Sequence, residues 1–219
     1  MKYAAYTDYR ETPLEWAGPI PAHWQIKKIG HLALLKSGEN IVSEEIAEGG
    51  EYPVFGGNGF RGYFNQYTHD GDFVLIGRQG ALCGNINYAS GKFWASEHAL
   101  VAHSLAEFDI HWFGETLRAM NLNQYSVSAA QPGLAASAIS ALRVPFPPFD
   151  EQQTITRFLN AKTTQIDLLM SLISGNQRGA LSEKQGHLVA LLIEYRQALI
   201  TSAVTGKIDV RRFDQRTES

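Results

Sequence analysis

What this 219-residue sequence has little of narrows its chemistry first. It holds a single cysteine, Cys83, so neither an internal disulfide framework nor a cysteine-rich zinc site can be built. No apolar run approaches the roughly 18 residues of a membrane span. The opening residues, Met1 to Pro13, carry no apolar stretch behind a basic start, so no secretory signal is read. These absences point to the cytoplasm. Strong basic charge is missing as well: 19 Lys and Arg stand against 22 Asp and Glu, for a net charge of −3. Splitting the chain does not change this, with 10 basic and 14 acidic residues up to 149 and 9 against 8 beyond it. Nucleic-acid binders are usually basic. A surface of that kind would therefore be a local cluster, with partner proteins supplying much of the phosphate affinity.

The signatures of common catalysts are absent too. There is no G-x-x-x-x-G-K-[ST] loop for a nucleotide and no H-x-E with P-C-x-x-C for a zinc deaminase. Gly56–Gly57–Asn58–Gly59 does not open a helix as a cofactor turn would, and Pro147–Pro148–Phe149 is preceded by Phe146 where an adenine methyltransferase needs Asn or Asp. His98 and His103 flank one apolar run at a spacing that puts them on opposite faces of a strand. Asp70 and Asp72 flank Gly71 and read as turn residues. No catalytic residue, metal ligand or resident cofactor is expected.

What is present changes character near residue 149. Before it, short apolar runs at 52–57, 60–64, 72–77 and 98–103 sit between Gly- and Asp-rich turn signals, which predicts short strands joined by tight turns. Asp109 is placed to cap a helix carrying Ile110, Phe113, Leu117 and Met120, and a shorter helix is expected over 135–142. Pro145, Pro147 and Pro148 then forbid regular structure. Beyond them Asp150 can cap a helix in which Ile155, Phe158, Leu159, Ile166, Leu169, Met170 and Ile173 share a stripe. Leu181, Leu188 and Tyr195 are seven apart, as are Leu192 and Leu199, the spacing of a coiled-coil seam. Gly206 should end the helix. Asn160 to Thr164 is poor helix material, and Gly175 would allow a hairpin at Ser174–Gly175–Asn176. The little-changed apolar phase from Ile173 to Leu181 favours continuity, giving a rod on the order of 60 Å from 163 to 204. Such a rod needs a partner helix for its apolar edge; the alternative is a helix packed on its own domain. The expected class is α+β: a mixed or antiparallel β-rich domain (1–149), a helical coiled-coil region (150–208) forming an antiparallel coiled coil with a partner, and a tail (209–219). The seam residues are Ile166, Ile173, Leu181, Leu188, Leu192, Tyr195 and Leu199.

Several segments in order resemble the specificity subunit of type I restriction–modification enzymes. They are Leu14–Glu15–Trp16 with Ile20–Pro21–Ala22–His23–Trp24, then Tyr52 to Gly59 with Gly62–Tyr63, and Val74 to Gly80. Gln131 to Leu134, Val144 to Gln152, Ile166–Asp167, Tyr195 to Thr201 and Val204 to Asp209 follow. The Pro-Pro-x-x-Glu-Gln segment and the Val-Thr-Gly-Lys-Ile ending carry most of the specificity. The resemblance implies a non-catalytic subunit whose target recognition domain reads half of a gapped DNA site. Methyltransferase subunits with S-adenosylmethionine and a motor/endonuclease subunit with ATP and Mg would be its partners. Members of the family usually carry two recognition domains and this chain has one. It is therefore either a half-subunit pairing with a second copy or a second half-subunit, or a fragment; its coherent start and finish favour the half-subunit. Two copies related by a two-fold axis would read a gapped inverted repeat. Candidate base-reading residues are Asn58 and Arg61 on one Gly-rich turn, Arg78 and Gln79 on another, and Gln131; Lys36, Ser37 and Lys92 are candidate phosphate contacts. Trp16, Trp24, Tyr52, Phe55, Tyr63 and Trp94 read as core aromatics before base-stacking platforms. The rival reading is an orphan or truncated scaffold that binds methyltransferase subunits without reading DNA.

Overall fold

The computed structural model describes residues 3–80, 82–126, 133–175 and 182–213. In chain order the elements are β1 (Tyr9–Arg10), β2 (Ile20–Pro21), β3 (Gln25–Lys28), α1 (Ile29–Leu32), β4 (Ala33–Ser37), β5 (Tyr52–Gly56), β6 (Gly59–Phe64), β7 (His69–Asp70) and β8 (Phe73–Gly77). They continue with β9 (Ile86–Ala89), β10 (Lys92–Ala95), β11 (Ala99–Ser104), α2 (Ile110–Ala119), α3 (Ala136–Ala141), β12 (Arg143–Phe146), α4 (Phe149–Ser174) and α5 (Glu183–Val204). All four strands expected from the apolar runs are present. The chain divides into two compact units, Gln25–Phe146 and a second made of Met1–Trp24 with Pro147–Ser219. The first twenty-four residues thus group with the helices and not with the β-rich unit that follows them.

The β-rich unit contains two four-stranded sheets. One, in the order β4-β11-β8-β9, is antiparallel throughout; the other, β6-β5-β10-β7, has one parallel pair, β5 with β10. Leu75, Ala89 and Val101 from the first sheet cluster with Phe93 and Ala95 from the second, and Phe55 and Phe73 pack against them. Val74 and Ile76 alternate with Leu75 and are also fully buried, because α2 packs on β8 and β9. Burial of both faces explains why residues 73–77 are uniformly apolar. The Asp109 side chain accepts a hydrogen bond from the Trp112 N–H at 2.8 Å and caps α2 as expected, while Trp112, Phe113 and Leu117 are buried. Pro145 departs from expectation. It lies in β12, opposite Ile26 of β3, which is tolerated because β12 has no second neighbour.

The helical unit corrects the expected single rod. α4 ends at Ser174 with Gly175 as its C-cap, and α5 starts afresh at Glu183. Ser182 opens α5 with a capping box: its hydroxyl accepts from the Gln185 N–H while Gln185 Oε1 accepts from the Ser182 N–H at 3.0 Å. Gln185 Nε2 donates to the Ile173 carbonyl at 3.1 Å, and the Arg196 guanidinium lies 3.4 Å from Asp167. These contacts run in opposite sequence directions, so α4 and α5 form an antiparallel hairpin. Their 26 and 22 residues span about 39 and about 33 Å. Asn160 to Thr164 stays helical, since Phe158, Leu159 and Ile166 on either side are buried. Asp150 is in the first turn of α4 and its side chain does not cap it; the N-cap is Pro148. α5 stops at Val204 and Gly206 adopts a left-handed φ of 71°, as expected for the C-terminal stop.

The N-terminal segment is fastened to the head of α4 by a buried carboxylate. Glu151 Oε2 accepts from the Trp24 indole N–H and from the Tyr6 hydroxyl, each at 2.9 Å, and Oε1 lies 2.6 Å from His23 Nε2. Burial, with the Glu151 charge second, pushes the Tyr6 hydroxyl pKa well up, and so Tyr6 serves as a donor. The Arg211 guanidinium sits 4.8 Å from the centre of the Tyr6 ring, held by Asp209 at 2.7 Å. The hydrogen bond from Arg211 holds the Asp209 carboxyl below the usual range. Glu151→Ala leaves two buried donors without an acceptor and is expected to cost about 2–4 kcal/mol in urea unfolding. Glu151→Gln keeps an acceptor and should cost less. An alanine variant as stable as the parent would contradict this account.

Candidate DNA-reading cleft

Two Gly-rich turns of the β-rich unit meet where side chains would not fit. A Cβ on Gly57 would lie 2.8 Å from the His98 carbonyl oxygen, and one on Gly77 would strike the Gly57 carbonyl oxygen and lie 2.8 Å from that of Leu82. Glycine lets these backbones cross in contact. The junction is hydrogen-bonded: Arg78 N–H donates to the His98 carbonyl at 2.8 Å, Gly77 N–H to Asn85 at 2.8 Å, and Leu134 N–H to Arg78 at 2.9 Å. Gln79 and Gly133 form an isolated antiparallel bridge.

The result is an open cleft of about 580 Å³ lined by residues 57–61 from one side and by Gln79, Gly80, Leu82 and His98 from the other. Asn58, Arg61 and Gln79, three of the candidate reading residues, line it together. Asn58 Oδ1 accepts from Asn85 Nδ2 at 2.8 Å. Arg61 is exposed on β6 and its guanidinium reaches Ser43 Oγ at 3.4 Å. Arg78 turns away from the lining and donates to Ser37 Oγ at 2.9 Å, which joins two further candidates. Lys36, next to Ser37 on β4, is exposed; its charge helps lower the His103 pKa, after burial as the larger cause. Lys92 is elsewhere: opposite Asp70 on β7, its ammonium lies 4.7 Å from the Tyr67 ring centre and does not line the cleft. Gln131 lies outside the described residues.

The sequence reading missed three lining residues, Phe60, Leu82 and His98. Phe60 and Leu82 are 55% and 48% exposed, so the cleft offers apolar surface beside its donors. His98 Nδ1 lies 3.2 Å from Gln79 Oε1, and its Nε2 lies 3.1 Å from Glu97 Oε1. His103 is remote in role. It faces His69 at 5.4 Å between ring centres, with both pKa values lowered chiefly by burial. Of the aromatics expected in the core before stacking platforms, Trp24 is buried and the others are partly buried, with Phe55 packed on the core.

Residues 21–174 match the family model described as the type I restriction modification DNA specificity domain. The chain belongs to that family. Among curated proteins, this specificity domain is 39% identical over 164 residues to the type I restriction enzyme EcoprrI specificity subunit of Escherichia coli, covering 73% of this chain and 41% of that one. It is 27% identical over 133 residues to a putative type I restriction enzyme specificity subunit of Haemophilus influenzae, covering 59% and 34%. Among solved structures, the S subunit of a type I restriction-modification system from M. genitalium superposes with a TM-score of 0.59 at 22% identity, over 69% of this chain and 42% of that one. The HsdS subunit from Thermoanaerobacter tengcongensis gives 0.54 at 18%, over 91% and 48%. The chain spans about two-fifths of the length of the Escherichia coli relative. The likeness to the solved subunits confirms the α+β architecture of a β-rich domain with long helices. Among the described residues no helix is long and apolar enough to cross a membrane.

The close backbone crossing makes a sharp prediction. Gly77→Ala should destabilise the β-rich unit by about 1–3 kcal/mol, because two carbonyl oxygens would have to move. Gly49→Ala, which meets nothing within 4 Å, should change little. Urea unfolding of both variants checks this, and equal midpoints would refute the crossing.

Proposed function

We propose that the chain is the non-catalytic DNA-specificity subunit of a type I restriction–modification complex. Its cleft reads one half of a gapped duplex site, and its helices position methyltransferase and motor/nuclease subunits. S-adenosylmethionine, ATP and Mg belong to those partners. The observation that carries the reading is the convergence of Asn58 and Gln79, on two turns whose backbones are locked together, with Arg61 of β6 at one cleft. Donors and acceptors held on rigid turns are what base edges in the major groove require. Arg78 and Ser37, hydrogen-bonded to each other, form a neighbouring polar pair suited to a phosphate, while Lys36 alternates to the other face of β4 and would meet one separately.

The helical hairpin supplies the second half of the proposal. Ile166 and Leu199 are buried within the unit, whereas Leu188 and Tyr195 of the expected seam remain about half exposed. Ile173 and Leu192 are half-buried, and Leu181 lies outside the described residues. Leu168 and Leu172 on α4, and Leu188, Leu191 and Tyr195 on α5, recur at three- and four-residue spacing and are 46–67% exposed. Water-facing stripes of this kind favour a second helical surface. The partner is a second copy of this chain: its length would complete the part of the solved subunits that one copy leaves uncovered. A two-fold axis through the paired hairpins implies a gapped inverted repeat as target.

Two measurements test this. Sequences selected from randomised duplexes by the chain with its methyltransferase subunits should form a gapped inverted repeat. Combined alanine replacement of Arg61, Arg78 and Gln79 should abolish the choice while methyltransferase binding persists. Methyltransferase binding with no base choice in the parent chain would instead establish the scaffold reading. Leu172→Glu with Leu191→Glu should turn a dimer into a monomer in analytical ultracentrifugation. A parent chain that sediments as a monomer would remove the paired-copy half of the proposal.

A further inference from the structure

We infer that Phe60 and Leu82 are specificity residues that form an apolar seat for the C5-methyl group of one thymine in the target duplex. The inference rests on the DNA-reading function proposed above. Both residues line the cleft, Phe60 from β6 on one side and Leu82 from the turn after β8 on the other, and about half of each stays exposed. One exposed apolar residue is ordinary on a protein surface. Two that enter a single cleft from separate segments, among Asn58, Arg61, Gln79 and His98, make a shaped surface. Neither is loosely held. The Phe60 ring meets Tyr63 edge-on at 5.2 Å and Phe55 at 6.3 Å between centres, and Phe55 meets the buried Phe93 ring at 5.7 Å. Leu82 is fixed through its backbone: its carbonyl accepts from the Asn85 N–H at 3.1 Å and lies against Gly77, and the N–H of the buried Cys83 after it donates to the Gly80 carbonyl at 3.0 Å.

Size and surroundings decide what sits there. A stable protein partner covers on the order of 800 Å² on each side, and two half-exposed side chains offer far less. A side chain that wedges between base steps must project into the stack, whereas Phe60 lines a concave wall and is braced by two rings on its core side. The occupant is therefore small, apolar and flanked by hydrogen-bonding groups, as the seat itself is. On the major-groove edges of unmodified DNA the thymine methyl is the only apolar group, with thymine O4 and adenine N6 and N7 beside it. Asn58, Arg61 and Gln79 line the same cleft and meet those polar neighbours. The seat works by shape and apolarity, so it needs no particular orientation of the neighbouring amides and no particular charge on His98.

The experiment starts from a duplex selected out of unmodified randomised DNA by the chain assembled with its methyltransferase subunits. Each thymine of the selected half-site is then replaced in turn by deoxyuridine, which keeps every hydrogen bond and removes only the methyl. In the parent, one such replacement should weaken binding by about three- to ten-fold. Leu82→Ala and Phe60→Leu should each weaken binding of the thymine duplex and leave the uridine duplex nearly as in the parent, so that the thymine-to-uridine ratio falls to within about two-fold. A residue that merely holds the turn would weaken both duplexes together and leave the ratio as it was. Since Phe60 also packs on Phe55 and Tyr63, Leu82→Ala keeps the test open should Phe60→Leu fold poorly. A selected site without thymine, or a parent indifferent to every replacement, overturns the seat while DNA reading stands. A ratio unchanged in both variants places the methyl elsewhere and overturns it too. Loss of methyltransferase binding in Leu82→Ala with the ratio intact would make this surface a protein contact and likewise overturn it. No selection by the parent would overturn the proposed function itself.

Discussion

The pairing of β3 with β12 is the constraint on which the rest depends. Gln25 lies opposite Phe146 and Lys28 opposite Arg143, so the chain leaves for the β-rich unit and returns from it on hydrogen-bonded neighbours. Everything between is one closed excursion. A two-stranded ribbon is marginal by itself, and this one is reinforced on both sides. The Ile29 N–H extends the ladder to the Leu142 carbonyl at 2.9 Å. The Phe146 ring takes the Lys27 ammonium at 3.9 Å and the edge of Trp112 at 5.5 Å between centres. The same closure accounts for residues on either side of the excursion. Trp24 and Glu151 are far apart in sequence, yet they meet because the intervening chain returns to where it left.

Within that closed unit the two sheets act as a rigid frame for turns that carry the polar chemistry. Strand β8 is buried on both faces and ends at Gly77, so the turn after it starts from an immobile point. Gly57 reaches the same point from β5. Glycine costs conformational entropy at each position, on the order of 1 kcal/mol. The return is that two turns separated by about twenty residues present their side chains at a fixed spacing. Fixed spacing matters more for reading bases than for holding phosphates, because base edges discriminate only through directional hydrogen bonds.

How much of this the sequence disclosed follows from the range of the interactions. Local signals were legible: the apolar runs of β5, β6, β8 and β11, the Asp109 cap, and the turns that carry Asn58 and Gln79; Arg61, expected on the first turn, lies in β6. Pairings across the chain were not. Glu151 reads as an ordinary first-turn acid, and only the fold shows it buried against Trp24 and Tyr6. His98 is nineteen residues from Gln79, and the two meet beside the Gly57–Gly77 crossing. The break between α4 and α5 was signalled by Gly175 and by Ser182 three residues before Gln185, a capping box. Continuity of apolar phase outweighed both. Phase is a weak guide there, since a hairpin can present apolar stripes on both of its helices in any relative phase.

The acidic balance that argues against a DNA-facing surface has a spatial resolution. Glu39, Glu44, Glu45, Glu48 and Glu51 are gathered in one short stretch, and without them the basic residues of 25–146 outnumber the acidic ones. Fields from exposed charges fade over about 8 Å at physiological ionic strength. The sign felt at the cleft is therefore set by the charges beside it, Arg61 and Glu97 among them, and not by the chain total. Arg61 reaches Ser43, which borders Glu44 and Glu45, so this acidic stretch lies against one rim. Under the proposed function it would repel a duplex docked out of register and keep non-specific affinity low. Sequence choice would then come from this chain and most of the grip on phosphates from its partners, a division that a strongly basic reader could not maintain.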